Sequence, residues 1–224
     1  MIGAHTLLEL RQYTLFGGRR DQLVTLFRHE FVAPQDALGA WVLASHCDLD
    51  DPDRFVWLRA FADREHRQQA LEQFYGGLIW AARKQVANAT IVDSDNVLLL
   101  RPLQAFSSGS HGRRTLLRAA IHYLGGVPPE AFAEFFAAHM RPLIGRCGGE
   151  PAGCYVSDAD GNNFPRLPVR EHEPVLVWFA EFADVAAEAN FSRHLQAASG
   201  WRDAASALVL PALMRKPEVL RLSG

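Results

Sequence analysis

Val56-Trp57-Leu58-Arg59-Ala60-Phe61-Ala62-Asp63 decides the fold, because the chain writes it again as Val177-Trp178-Phe179-Ala180-Glu181-Phe182-Ala183-Asp184. The second octapeptide starts 121 positions after the first, and each tryptophan is followed 23 residues later by another, Trp80 and Trp201. A shared tripeptide is chance. An octapeptide pattern with a distant tryptophan in register is a duplication, and internal repeats fix architecture before any local reading does. Working outward, Arg11-Gln12-Tyr13 before Gly17-Gly18 parallels Ile121-His122-Tyr123 before Gly125-Gly126, and Phe27 to Pro34 parallels Phe135 to Pro142. The register slips by 11 residues in between, and an insertion at Asp158 to His172, rich in Gly, Asn and Pro, accounts for it. Ser107-Ser108-Gly109-Ser110-His111-Gly112 is polar and flexible in composition, as a linker should be. The expected division is a domain at 1–104, a linker at 105–114 and a diverged second domain at 115–224.

Within each half the order reads βαββαβ. Residues 7–14 are extended and partly alternating, whereas 19–32 place Leu23, Leu26, Phe27 and Phe31 at helical spacing. Residues 39–47 and 54–61 are rich in Trp, Val, Leu and Phe, and an Asp-rich, Pro-containing turn separates them. Asp63 is a natural N-cap for a helix from Arg64 onward, with Ala70, Leu71, Phe74 and Tyr75 on one stripe. Val97 to Leu103 closes the sheet. Four strands with two helices on one face make a split βαβ, ferredoxin-like unit. A sheet so built leaves its other face bare, and exposed apolar area costs about 25 cal/mol per Å². The fold expected is therefore α+β: two tandem ferredoxin-like domains packed sheet to sheet as an intramolecular pseudo-dimer.

The bulk numbers suit that reading. The 224 residues are 49% hydrophobic and 21% charged, enough apolar material for one or two cores. A formal net charge of −2 leaves no basic surplus for a phosphate backbone, which argues against nucleic acid. No apolar run is long enough to span a bilayer, and the first strand starts too early to leave room for a signal or transit peptide. Cys47, Cys147 and Cys154 match neither a zinc nor a redox spacing and read as reduced thiols. A cytoplasmic protein is the expectation, and further pairing into a homo-oligomer is left open.

Glu9-Leu10-Arg11-Gln12-Tyr13-Thr14 resembles the opening motif of the NIPSNAP family. So do Arg54-Phe55-Val56-Trp57-Leu58-Arg59-Ala60-Phe61, Phe74-Tyr75 with Trp80 behind it, and Asp93-Ser94-Asp95-Asn96-Val97-Leu98-Leu99-Leu100-Arg101-Pro102. These cover most of residues 7–103 in order. The second half is similar to a diverged copy that keeps Trp178, Phe182, Asp184 and Trp201 but has Ala180 where the first has Arg59. The resemblance implies the dimeric α+β barrel superfamily, whose members include cofactor-free monooxygenases, cyclases, isomerases and haem-handling enzymes. The NIPSNAP branch carries no settled general reaction, and fold does not fix function.

Arg11 and Arg59 each interrupt an apolar strand, and a guanidinium is almost never buried unpaired. With Glu9 and Tyr13 they could clamp a carboxylate or enolate oxygen, or simply form a structural pair between neighbouring strands. Because the second copy dispenses with both arginines, the fold does not demand them. Trp57, Trp80, Phe74 and Tyr75 could line an aromatic substrate pocket, although tryptophans kept in both halves also suit a core. His46 or Tyr75 would move a proton while Arg59 and Arg11 stabilise an enolate oxygen. Among nine histidines no metal spacing occurs, and only a convergence of His122, His139 and His194 would hold a metal or haem. No nucleotide-binding glycine motif is present, and no cofactor is expected. Gly76-Gly77 interrupts a helical stripe, as a kink or a close backbone approach would. The expected function is an enzyme acting on a small aromatic or conjugated molecule, of the cofactor-independent monooxygenase, isomerase or cyclase type. The alternatives are a non-catalytic small-molecule-binding or scaffold protein and, third, a metal or haem enzyme.

Overall fold

Strands β1 (Leu7–Leu15) and β3 (Arg54–Phe61) run antiparallel with Glu9 opposite Arg59 and Arg11 opposite Trp57. The computed structural model describes residues 5–105, 116–125, 128–198 and 216–224. Most of the expected linker, Gly126 and Trp201 lie outside them. Strand β2 (Trp41–Asp48) pairs with β3, and β4 (Ile91–Gln104) pairs with β1, so the first sheet is ordered β4-β1-β3-β2. Helices α1 (Arg20–Leu26) and α2 (Val32–Ala37) are joined by a π-helical turn at Phe27–Phe31. Helix α3 (Arg64–Gly76) starts at Asp63, whose carboxylate accepts from the His66 N–H at 2.9 Å, and α4 (Leu78–Asn88) follows. Gly77 ends one helix and starts the next. A Cβ there would sit 2.8 Å from the Gln73 carbonyl oxygen, so the glycine allows a close approach of the chain to its own helix.

The second half repeats this arrangement. Strands β5 (Leu116–Tyr123), β6 (Glu150–Ser157), β7 (Val175–Phe182) and β8 (Glu218–Ser223) form a sheet ordered β8-β5-β7-β6. Helices α5 (Pro129–Phe135) and α6 (Arg141–Arg146) again flank a π-helical turn, Phe136–Met140. Helix α7 (Val185–Ala197) is capped by Asp184, which accepts from the Ala187 N–H at 2.8 Å. The fold is α+β, made of two ferredoxin-like units.

Strand pairing corrects the internal alignment by one residue. Ala120, not Ile121, lies opposite Trp178, so Ala120 corresponds to Arg11, His122 to Tyr13 and Arg118 to Glu9. A one-residue slip turns every strand side chain to the opposite face, so the correction changes which residues are comparable. The two compact units are not strictly sequential. Unit 1 comprises Met1–Arg101, Asp158–His172 and Gly224, and unit 2 comprises Pro102–Ser157 and Glu173–Ser223. The insertion between β6 and β7 therefore belongs to the first unit, where we call it the strap.

In unit 1 the side chains of Leu7, Glu9, Arg11, Tyr13, Phe55, Trp57, Arg59 and Phe61 alternate onto the helix side of the sheet. All are buried. The opposite face, with Leu8, Leu10, Val56, Leu58 and Ala60, is also buried. Cys47, Cys147 and Cys154 are free thiols.

Candidate functional site

Glu9 sits at the centre of a buried charge cluster. Its Oε2 accepts from Arg59 Nε at 2.9 Å, Arg59 Nη2 at 2.6 Å and Arg11 Nη1 at 2.9 Å. Its Oε1 accepts from Arg67 Nε at 2.8 Å, and Arg67 Nη2 is also 2.8 Å away. Arg59 Nη1 donates to Gln35 Oε1 at 2.7 Å, and Arg11 Nε donates to the Tyr13 hydroxyl at 3.3 Å. Glu9, Arg59 and Arg67 have no exposed surface and Arg11 has 1%. Burial alone would push the Glu9 carboxyl up, but the guanidinium charges of Arg59, Arg67 and Arg11 outweigh it and hold it well below the usual range. Three buried cations against one carboxylate leave a local surplus of positive charge, which is costly unless further negative charge compensates it.

Beside this cluster opens a cavity of about 210 Å³. Phe27, Phe31, Trp57, Phe74 and Trp80 form aromatic walls, and Tyr13, Gln35, Tyr75, Ser94 and Arg166 supply polar groups. The rings meet edge to face, Phe27 on Trp57 at 4.7 Å and Tyr75 on Trp80 at 4.9 Å between centroids, which sets the walls rigidly. For scale, a dry cavity of about 150 Å³ admits benzene, so this one suits a one- or two-ring molecule. The π-helical turn bears Phe27 and Phe31, both on the wall, and such turns recur at functional sites.

Trp57 is the informative wall residue. It is 2% exposed, and among the described residues its indole N–H has no acceptor. Arg59 Cζ and Arg11 Cζ lie 4.9 Å and 5.4 Å from its ring centroid, so two cations polarise the indole toward donation. Tyr13 uses its oxygen to accept from Arg11. Burial pushes the Tyr13 phenol up, with a contribution from Tyr75 against the pull of Arg11, so it stays protonated and has a proton to give. The polar groups on this wall are therefore donors, backed by buried cations. Such an arrangement favours an oxygen that is, or becomes, negative.

The expected residues divide accordingly. Tyr13, Trp57, Trp80 and Tyr75 line the cavity. Arg11 and Arg59 do not reach its wall, because their forks are occupied by Glu9, Gln35 and Tyr13, and a direct guanidinium clamp on substrate is corrected to a charge behind the wall. His46 pairs with Val56 rather than Trp57, turns to the other sheet face and does not line the cavity, so it is withdrawn as the proton carrier. His122 is buried, whereas His139 and His194 are exposed on helices. Among the described residues no group of three His, Cys, Asp or Glu could hold a metal ion.

Arg67, Gln35 and Arg166 were not singled out in the sequence. Arg67 carries a readable signal, a charge on the buried stripe of α3 with Ala70, Leu71 and Phe74. Gln35 continues the Phe27 and Phe31 stripe in the same way. Arg166 carries none, because the strap's position is purely tertiary.

Unit 2 shows what the same scaffold does without this arrangement. Arg118 stands at the position of Glu9 and Glu188 at that of Arg67, and the two pair across strand and helix with polarity reversed. Ala180 replaces Arg59 and Ala120 replaces Arg11. The Trp178 indole N–H donates to His122 Nε2 at 2.9 Å, so the donor left open in unit 1 is closed here. Burial, helped by the Arg118 charge, pushes the His122 imidazole down to about 4, which keeps it a neutral acceptor.

The sequence matches no protein-family model and no curated protein. Among solved structures, a candidate monooxygenase from Fusobacterium nucleatum is similar over 98% of this chain and 92% of its own, at 12% identity and a TM-score of 0.65. An anthrone oxidase-like protein is similar over 99% of this chain and 92% of its own, at 13% identity and a TM-score of 0.65. A NIPSNAP family protein from Agrobacterium tumefaciens is similar over 44% of this chain and 93% of its own, at 20% identity and a TM-score of 0.41. What these likenesses show is a shared fold, over nearly the full length in the first two cases.

Proposed function

We propose that unit 1 is the working half of an enzyme that binds a small aromatic or conjugated molecule and stabilises a negative oxygen on it. The observation that carries this is the buried indole N–H of Trp57, unpartnered among the described residues, on a residue that lines a ring-sized cavity and is backed by Arg11 and Arg59. A phenol or enol entering the cavity would lose its proton to solvent, and the resulting oxyanion would accept from Trp57 Nε1 and the Tyr13 hydroxyl. An electron-rich carbon conjugated with that oxyanion is the reactive form in two reactions. Reprotonation at a different carbon gives an isomer. Reaction of a conjugated methylene with dioxygen, CH2 plus O2 giving C=O plus H2O, balances without an external reductant. Structural neighbours described as candidate monooxygenases and as anthrone oxidase-like lend support to the oxidative version.

A second reading has its own observation. Among the described residues the cavity wall offers no carboxylate or imidazole to take a proton, as would suit a protein that binds such a molecule without converting it. Titration with 4-nitrophenol, whose ionised form is yellow, tests the shared premise. The bound phenol should ionise about one pH unit lower than the free one, and Trp57→Phe should remove most of that shift. Binding without any shift, or a shift untouched by Trp57→Phe, overturns the proposal. Oxygen uptake or proton exchange at carbon, measured across a panel of conjugated enols, then separates enzyme from binder.

A further inference from the structure

The strap enters unit 1 as a prebuilt piece. Arg64 pairs with Asp158 and donates from Nη2 to the Gly161 carbonyl at 2.7 Å, while Asn163 Nδ2 donates back to the Arg64 carbonyl at 2.6 Å. Arg67, whose Nε is spent on Glu9, donates from Nη1 to Asn162 Oδ1 at 3.1 Å and Asn163 Oδ1 at 2.6 Å. The Arg170 N–H reaches the Val97 carbonyl at 2.8 Å. Phe164 is buried and stacks on Tyr75 with centroids 6.3 Å apart. From that anchor the chain makes a tight turn, Phe164-Pro165-Arg166-Leu167, closed by the Leu167 N–H donating to the Phe164 carbonyl at 3.0 Å. Pro165 sets the backbone at the second position, and Arg166 occupies the third.

Arg166 and Leu167 are the strap's contribution to the cavity wall. Their setting differs from that of the inner wall. Arg166 is exposed, and among the described residues it has no acidic partner, whereas Arg11, Arg59 and Arg67 are all buried and engaged with Glu9. The cavity therefore has donors backed by cations at its buried wall and one free guanidinium at its solvent side.

We infer that Arg166 is a specificity-determining residue, and that the ligand class is a flat, ring-sized molecule with two oxygenated ends. A phenolic or enolic oxygen goes inward to Trp57, and a carboxylate or comparable anion projects outward to Arg166. This rests on the reading of unit 1 given above and names the substrate class of that same site. A planar guanidinium matches a carboxylate in two parallel hydrogen bonds, which a cationic or neutral substituent cannot form. An unmatched guanidinium at the mouth would also repel an amine-bearing analogue.

The test compares three probes that share a phenol: 4-hydroxyphenylacetate, 4-hydroxyphenethyl alcohol and tyramine, bound to the full chain and followed by calorimetry. Wild type should prefer the acid over the alcohol by roughly tenfold, a margin that shrinks with added salt. Arg166→Ala should erase that margin by weakening the acid more than the alcohol. Arg166→Glu should reverse the order, tyramine now binding tighter than the acid. Because Arg166 is exposed, neither variant is expected to change the unfolding midpoint, which is measured alongside. Retention of the acid preference in both variants overturns the role of Arg166 while leaving the reading of the inner wall intact. Failure of all three probes to bind overturns both.

Discussion

Glu9 and His122 show how single side chains made one copy of the repeat polar and open, and the other closed. In unit 1 a lone carboxylate gathers three guanidiniums, and the tryptophan beside them keeps a free donor. In unit 2 the carboxylate and guanidinium have exchanged places, and a neutral histidine satisfies the tryptophan. Both groups have folded-state affinities for protons below their unfolded ones, so both contribute stability that is present at neutral pH and lost on acidification. Their windows are separate. His122 titrates near 6.5 when unfolded and near 4 when folded, so the unfolded chain takes up its proton first as the pH falls through that interval. The difference amounts to about 3 kcal/mol. Glu9, held below the usual carboxylate range, acts mainly below about pH 4.3, where more than half of the unfolded carboxyl is protonated. Urea midpoints measured from pH 7 to pH 3 should therefore fall in two stages. His122→Gln should flatten the first stage and leave the second. A single unbroken decline unaffected by the variant would contradict the assignment.

At the scale of elements, the α3–α4 junction decides where Tyr75 and Trp80 stand. Two glycines there read alike in sequence, yet their surroundings differ. Gly76 has open space around a would-be Cβ, whereas at Gly77 that atom would press on the Gln73 and Phe74 carbonyl oxygens at 2.8 and 3.3 Å. Backbone cannot yield as a flexible side chain can. Gly77→Ala should thus destabilise the protein by about 1–3 kcal/mol and blunt ligand binding by moving Trp80. Gly76→Ala, in the last turn of a helix, should be neutral or stabilising by up to about 1 kcal/mol. Thermal midpoints of the two variants check this, and equal losses would show that the crowding at Gly77 is relieved at no cost. The π-helical turns are the other element of interest. Their occurrence at matching places in both units marks them as part of the repeat, and only in unit 1 does the turn border the cavity described here.

For the molecule as a whole, the strap is the consequential departure from symmetry. It is encoded between β6 and β7 of the second sheet, but its partners are Arg64, Arg67, Tyr75 and the β4 backbone. Replacing Asp158–His172 with a short turn should leave Arg67 short of two acceptors and expose the Phe164 site on Tyr75. Hydrogen exchange is expected to quicken in α3 while the β5–β7 ladder stays protected. Unchanged protection of α3 would mean that the strap lies over unit 1 without stabilising it.

Sequence by itself pointed to the repeated octapeptide, the βαββαβ order, the Asp63 cap and Trp57, Phe74, Tyr75 and Trp80 as candidate wall residues. Each of these follows from periodicity or from a repeated motif, which are local properties. Comparison of the two halves also pointed to Arg11 and Arg59 as peculiar to one of them. It could not say that they stand behind the wall rather than in it, because that depends on Arg59 and Arg67 being brought to Glu9 from another strand and a helix. The one-residue error in matching the first strands has the same origin. Motif likeness aligned Tyr13 with Tyr123, while hydrogen-bond register, a property of two strands together, aligned it with His122. Arg166 was legible only in three dimensions. No local pattern tells a fifteen-residue insertion which unit it will fold against, since that is decided by which buried polar groups elsewhere lack partners until it arrives.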